Sequence, residues 1–245
     1  ITNFACHLDV VGGTEYSADY PGELSRMLKK VYGNNIISIF LTGTCGNINH
    51  VDVSGKIERS KDHYIKMGRI LAGEVIKTLE KTVPCNDVDL LAQSRKIKLS
   101  VRQPSPEYLE KAKMLIENTK WNIEELVTRG SKELIEYFYA KEAIRMSIEK
   151  EESVDAEVQV MKIGDLAISA LPGEIFVEFG LDIKSRSPFK YNMVNCLANG
   201  IFGYIPVREA FEQGGYEPRL CATSRLEEEA GYKMAENIVE LLANI

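Results

Sequence analysis

Four loops of this chain carry side chains capable of chemistry, and each follows an apolar run. His7 ends NFACH, and the polar turn SADYPG (17–22) comes soon after it. GTCGNIN (43–49) presents Cys45, Gly46, Asn47 and Asn49, with His50 next in line. SALPGEIFVEFG (169–180) sets Glu174 directly behind a Pro-Gly corner. NGIFGYIP (199–206) carries Tyr204, and GGYEP (214–218) follows it. Ends of strands in an open α/β sheet are where ligand groups are usually displayed.

Each residue alone has two readings. His7 is either a packed, hydrogen-bonded imidazole or a metal ligand, imidazole being the commonest one. Glu174 is either a first-turn acid favoured by a helix dipole or a carboxylate held at a sheet rim for chemistry. Tyr204 reads first as an amphipathic core residue with a bonded hydroxyl, and Ser17 and Asp19 as turn formers. Cys45 at a glycine turn is a conceivable nucleophile, and His50 a general base or simply a polar loop end. GTCGNIN lacks the Lys-Ser/Thr ending of a phosphate-binding loop.

The elements that must position these loops alternate between strand and helix. After the opening strand, Leu24, Met27, Leu28 and Val31 recur at helical spacing, and Gly33 closes that helix. IISIFL (36–41) reads as a short central strand, and from Asp62 to Pro84 a second helix carries Met67, Leu71, Val75 and Leu79. KIKLSV (96–101) alternates as a half-buried strand. Residues 105–152, with Trp121, read as two or three peripheral helices broken at Gly130. AEVQVMKI and LAISAL, joined by Gly164-Asp165, form a hairpin; YNMVNCLA is a further strand, and Leu226–Ile245 a final helix. The expected class is α/β: one domain, 1–245, with a mixed sheet flanked by helices and a helical insertion at 105–152.

Bulk composition narrows the function. With 245 residues, 44% hydrophobic and 27% charged, the chain can bury one sizeable core. A net charge of -6, scattered along the chain, offers no basic groove, so nucleic acid is excluded as a partner. No window approaches the roughly 18 apolar residues of a membrane span, so a soluble protein is expected, either cytoplasmic or secreted after signal removal. Cys6, Cys45, Cys85, Cys196 and Cys221 are odd in number and form no CxxC pair, which argues against a disulfide framework or a cysteine zinc site.

In order and spacing, NFACHLDVVGG with SADYPGEL, IFLTGTCGNIN, LPGEIFVEFG and LANGIFGYIPVREAFEQGGYE resemble the later half of the catalytic domain of the neutral/alkaline (non-lysosomal) ceramidase superfamily. The resemblance covers most of 1–50 and 155–245. It implies a zinc-dependent hydrolase in which zinc-activated water attacks an amide carbonyl of an N-acyl lipid. It implies that His7, Glu174 and Tyr204 are metal ligands, Tyr204 also aiding the oxyanion. By the same resemblance Asn49 stands beside the scissile amide and Ser17 and Asp19 belong to a polar turn near the metal, with Gly46, Asn47 and His50 on the substrate side. Asn49 and His50 replace a Ser and a Pro of the lipid amidases, which counts against ceramide itself and leaves an amide or related acyl bond. A further His ligand, in a His-x-His motif, is expected upstream of residue 1, in a missing first half that would be a partner. The alternative is a non-catalytic relative or fragment that binds a lipid, sugar or protein.

Overall fold

A computed structural model describes residues 1–56, 60–119 and 131–245. Trp121 and Gly130 lie outside the described residues. Two short strands open the chain: β1 (Thr2–Phe4) pairs in parallel with β2 (Phe40–Thr42). Between them runs α1 (Asp19–Tyr32), ended by Gly33 at φ 89°, a positive φ that glycine adopts readily, at the helix end its sequence foretells. Helix α2 (His63–Leu79) lies on α1 around Leu24, Leu28 and Ala72.

The main sheet has four strands in the order β3, β4, β5, β7. β3 (Leu90–Ser100) and β4 (Ser153–Ile163) are antiparallel, with Ser100 facing Ser153. The 105–152 segment is therefore an excursion between two paired strands, holding α3 (Pro106–Asn118) and α4 (Ser131–Glu149). Ser105 caps α3 by accepting from the Tyr108 amide, with Pro106 as the first helical residue. β5 (Leu166–Ala170) returns from β4 through Gly164-Asp165, Gly164 taking φ 56°, as the dipeptide predicts. A crossover containing β6 (Glu174–Ile175) and α5 (Val177–Arg186) leads to β7 (Tyr191–Asn195), which is parallel to β5. The chain ends with β8 (Tyr204–Ile205), α6 (Arg208–Gln213) and α7 (Ala230–Ala243).

Alternation builds the core. Ala156, Val158 and Val160 of β4 point to one face, where Phe179 and Ile183 of α5 and Met234, Ile238 and Leu242 of α7 cover them. This is the mixed α/β class expected, with a four-stranded mixed sheet and seven helices among the described residues. No helix among the described residues is long and apolar enough to cross a membrane.

Two expectations need correction. IISIFL is not a buried central strand: pairing begins only at Phe40, and Ile37 is 82% exposed. The helical insertion is not merely peripheral. Glu142 of α4 accepts from the Ala222 amide at 3.0 Å, and Glu136 pairs with Arg219 at 2.7 Å. Both bonds tie α4 to the loop that follows α6.

β6 and β8 form a separate two-residue parallel pairing, and two glycines permit it. Gly173 has φ 130° and Gly203 φ 69°, and a Cβ on Gly203 would land on the Thr223 carbonyl. Gly203→Ala is expected to lower stability by about 3 kcal/mol or more, read from the urea midpoint, because both strain and a backbone clash oppose it.

Candidate active site

Strand pairing brings the site together from four distant segments. In the β6–β8 register Glu174 sits opposite Tyr204 and Ile175 opposite Ile205. Successive strand residues point to opposite sides, so the two isoleucines go into the core and Glu174 and Tyr204 come to the rim. Helix α5 starts only at Val177, behind Phe176, so Glu174 is a strand residue and its helix-cap reading falls away. The first-turn acid of that helix is Glu178.

His7 reaches the same rim. Its Nε2 lies 3.1 Å from Glu174 Oε2 and 3.5 Å from the Tyr204 hydroxyl, and its Nδ1 lies 3.0 Å from the Ile48 carbonyl. A carbonyl only accepts, so Nδ1 carries a proton and Nε2 is the nitrogen turned to the carboxylate. The side chains are 18% and 26% exposed, sheltered enough for the interaction to count. Glu174's hydrogen bond, aided by the Ile48 carbonyl and opposed by burial, raises the His7 pKa from 6.5 to about 9. Burial first, then the Glu174 charge, pushes the Tyr204 phenol up, so it stays a hydrogen-bond donor at neutral pH.

The GTCGNIN loop is the support for this trio. Gly46 donates to the Ile175 carbonyl at 2.8 Å, and any Cβ there would collide with the Glu174 backbone. Asn47 caps α5: its Oδ1 accepts from the Val177 amide at 2.8 Å while its Nδ2 donates to Glu178. Cys45 is buried with its Sγ 3.9 Å from Cys196 Sγ, and the contact and burial push its thiol up, the wrong direction for a nucleophile.

The other expected site residues shape the loops beyond. Asp19, buried at φ 48°, accepts from the Val11 and Tyr20 amides at 2.9 and 2.7 Å, and Ser17 accepts from the Asp19 amide at 3.0 Å. Together they fold the chain that leaves His7. Asn49 Nδ2 donates to Asp9 at 3.4 Å, and Val51 donates to Asn49 Oδ1. His50 Nε2 pairs with Asp9 at 2.9 Å, its ring 6.0 Å from that of His63. Of the expected residues, His7, Glu174 and Tyr204 converge; Gly46 and Asn47 brace them; Ser17, Asp19, Asn49 and His50 belong to neighbouring loops.

Beside the trio is a cavity of about 90 Å³ walled by Glu174 and Tyr204 together with Tyr216, Arg219 and Tyr139. Arg219 and Tyr139 had no signal in the sequence, because nothing local relates a helix residue at 139 to a strand at 204. GGYEP did draw attention, and its Tyr216 packs edge-on against Tyr204 at 5.5 Å. A roomier cavity of about 570 Å³, between α5 and α7, includes none of the trio.

Two solved structures share this architecture. Neutral ceramidase from Pseudomonas aeruginosa aligns over 98% of this chain with a TM-score of 0.65 and 14% identity. A ceramidase complexed with C2 aligns over 98% with a TM-score of 0.63 and 13% identity. This chain has a neutral-ceramidase-like fold. It spans 43% and 44% of those two chains, less than half of either ceramidase. No protein-family model and no curated protein sequence matches it.

Two outcomes follow within this ceramidase-like fold. In metal-free protein the His7–Glu174 pair contributes stability that is complete below about pH 6.5 and lost as pH rises through about 9, because the folded state holds the proton more tightly. NMR titration is expected to find the His7 imidazole near 9 and, in Glu174→Gln, well below it. Asn47→Ala removes the α5 cap and is expected to cost about 1 kcal/mol in thermal or urea unfolding.

Proposed function

We propose that this chain supplies most of the active centre of a zinc-dependent hydrolase that cleaves an amide or related acyl bond. The observation that carries the reading is the convergence of His7, Glu174 and Tyr204 on one point at a sheet rim. The donors are of the nitrogen and oxygen type that zinc takes, and the second nitrogen of His7 is already engaged by a backbone carbonyl, as in most metal-bound imidazoles. A fourth donor, a further His, would come from outside these residues, among which no group of three or more His, Cys, Asp or Glu could hold a metal.

Zinc, when bound, lowers the pKa of water to roughly 7 and so provides a nucleophile at neutral pH. The chain's own groups do the rest. His7 and Glu174 give up their shared proton to bind a cation, and Ile48 keeps the imidazole ring in orientation. Tyr204, held as a protonated phenol, is placed to donate to the oxygen that becomes negative as the carbonyl is attacked. The N-acyl lipid action of ceramidases comes to this chain only as the class of bond, an amide, joined by its fold.

The experiment is metal analysis of the full-length protein. One zinc per chain is expected, lost in His7→Ala and weakened at least tenfold in Glu174→Gln, with amide hydrolysis falling in parallel. Zinc-free full-length protein that takes up none on addition would overturn the reading in favour of a non-catalytic binding relative. Cys45→Ser is expected to leave activity intact while chelators abolish it.

A further inference from the structure

The small cavity against Glu174 and Tyr204 carries information about the substrate. Its volume of about 90 Å³ suits a small polar group such as a carboxylate. Apart from Cys221 its lining is polar or aromatic, and it includes Tyr204, Tyr216, Arg219, Thr223 and Ser224.

Arg219 is built into place. Its Nη2 donates to Glu136 at 2.7 Å, and its guanidinium lies 3.7 Å over the Tyr139 ring, both on α4. The side chain is 29% exposed, and burial opposes its charge while Glu136 supports it. A guanidinium has five N–H donors in a rigid fork, more than Glu136 and Tyr108 together take up. The loop that carries it is itself bonded to α4 through Ala222 and Glu142. Glu174 faces the cavity from the other side, with its charge met by His7 at 3.1 Å, so an anion entering the cavity meets a compensated carboxylate on that wall.

We propose that this cavity is the recognition subsite for a carboxylate on the substrate, bound by the Arg219 fork and the Tyr216 hydroxyl, so that the compound cleaved is a small N-acyl compound with a free carboxylate. Bidentate guanidinium–carboxylate bonds favour Arg at such a position, and an uncharged isostere forfeits them. The proposal rests on His7, Glu174 and Tyr204 being the reacting end. It makes the 105–152 insertion the element that selects the substrate, since α4 supplies the partner of Arg219 and the ring beneath it.

Binding and hydrolysis separate this proposal from the one beneath it. The probes are N-acetylglycine and its neutral amide, N-acetylglycinamide, titrated into full-length protein by calorimetry and then offered as substrates beside a short-chain N-acyl sphingosine. N-acetylglycine is expected to bind at least tenfold more tightly than N-acetylglycinamide. That preference is expected to vanish in Arg219→Ala and to shrink in Arg219→Lys, which keeps the charge and the ion pair but not the fork. Should Arg219→Ala fail to fold, Arg219→Lys decides alone. Equal binding of the two probes, unchanged preference in Arg219→Lys, or a preference for the N-acyl sphingosine overturns the subsite. Selective binding of N-acetylglycine with no hydrolysis supports the subsite and counts against the hydrolase.

Discussion

Two residues of parallel pairing, Glu174 with Tyr204 and Ile175 with Ile205, are the constraint on which the site depends. So short a ladder does not stand by itself, and it is held from every side. Glu174 donates to the Gly203 carbonyl at 2.7 Å, Phe176 to Ile205 at 3.2 Å, and Gly46 to Ile175 at 2.8 Å. Beneath, the two isoleucines are packed in the main core. The twofold alternation of a strand then does the sorting: the residue after each anchor's predecessor goes inward, and the acid and the phenol are left facing His7. The glycines at 46, 173 and 203 are there because backbone, not side chain, must occupy those positions.

A metal-ligating reading and an ion-pair reading of His7 describe the same geometry under two loads. With Nδ1 committed to Ile48, the Nε2 position accepts either a proton shared with Glu174 or a cation. Proton and metal compete for it, so the raised His7 pKa and the proposed zinc site are linked by a single lone pair. The buried Cys45–Cys196 contact behind the loop has no comparable access to this point and acts as packing, its thiol pushed away from the reactive form.

The 105–152 insertion illustrates how local pattern misleads. Its charged helices look solvated, and helices are what the structure shows there. What matters is that Glu136, Tyr139 and Glu142 lie within about two turns of α4 and grip a loop some 80 residues later. An ion pair and a ring contact leave no periodic trace in either partner. For the same reason IISIFL, apolar throughout, looks central yet is largely open, because hydrophobicity reports what can be buried and not what is present to bury it.

The sequence by itself determined the α/β class, the Gly164-Asp165 hairpin, the helix end at Gly33, and the order of the four loops that carry His7, GTCGNIN, Glu174 and Tyr204. These depend on residues within a few positions of one another, where propensity, capping and turn chemistry act. Only the tertiary structure decided that Glu174 is a strand residue at a rim, that Asn47 caps α5, that Asn49 and His50 turn toward Asp9, and that Arg219 and Tyr139 wall the site. Those positions are set by pairing register and by contacts between residues about 40 to 200 apart in the chain, and neither leaves a mark in local sequence.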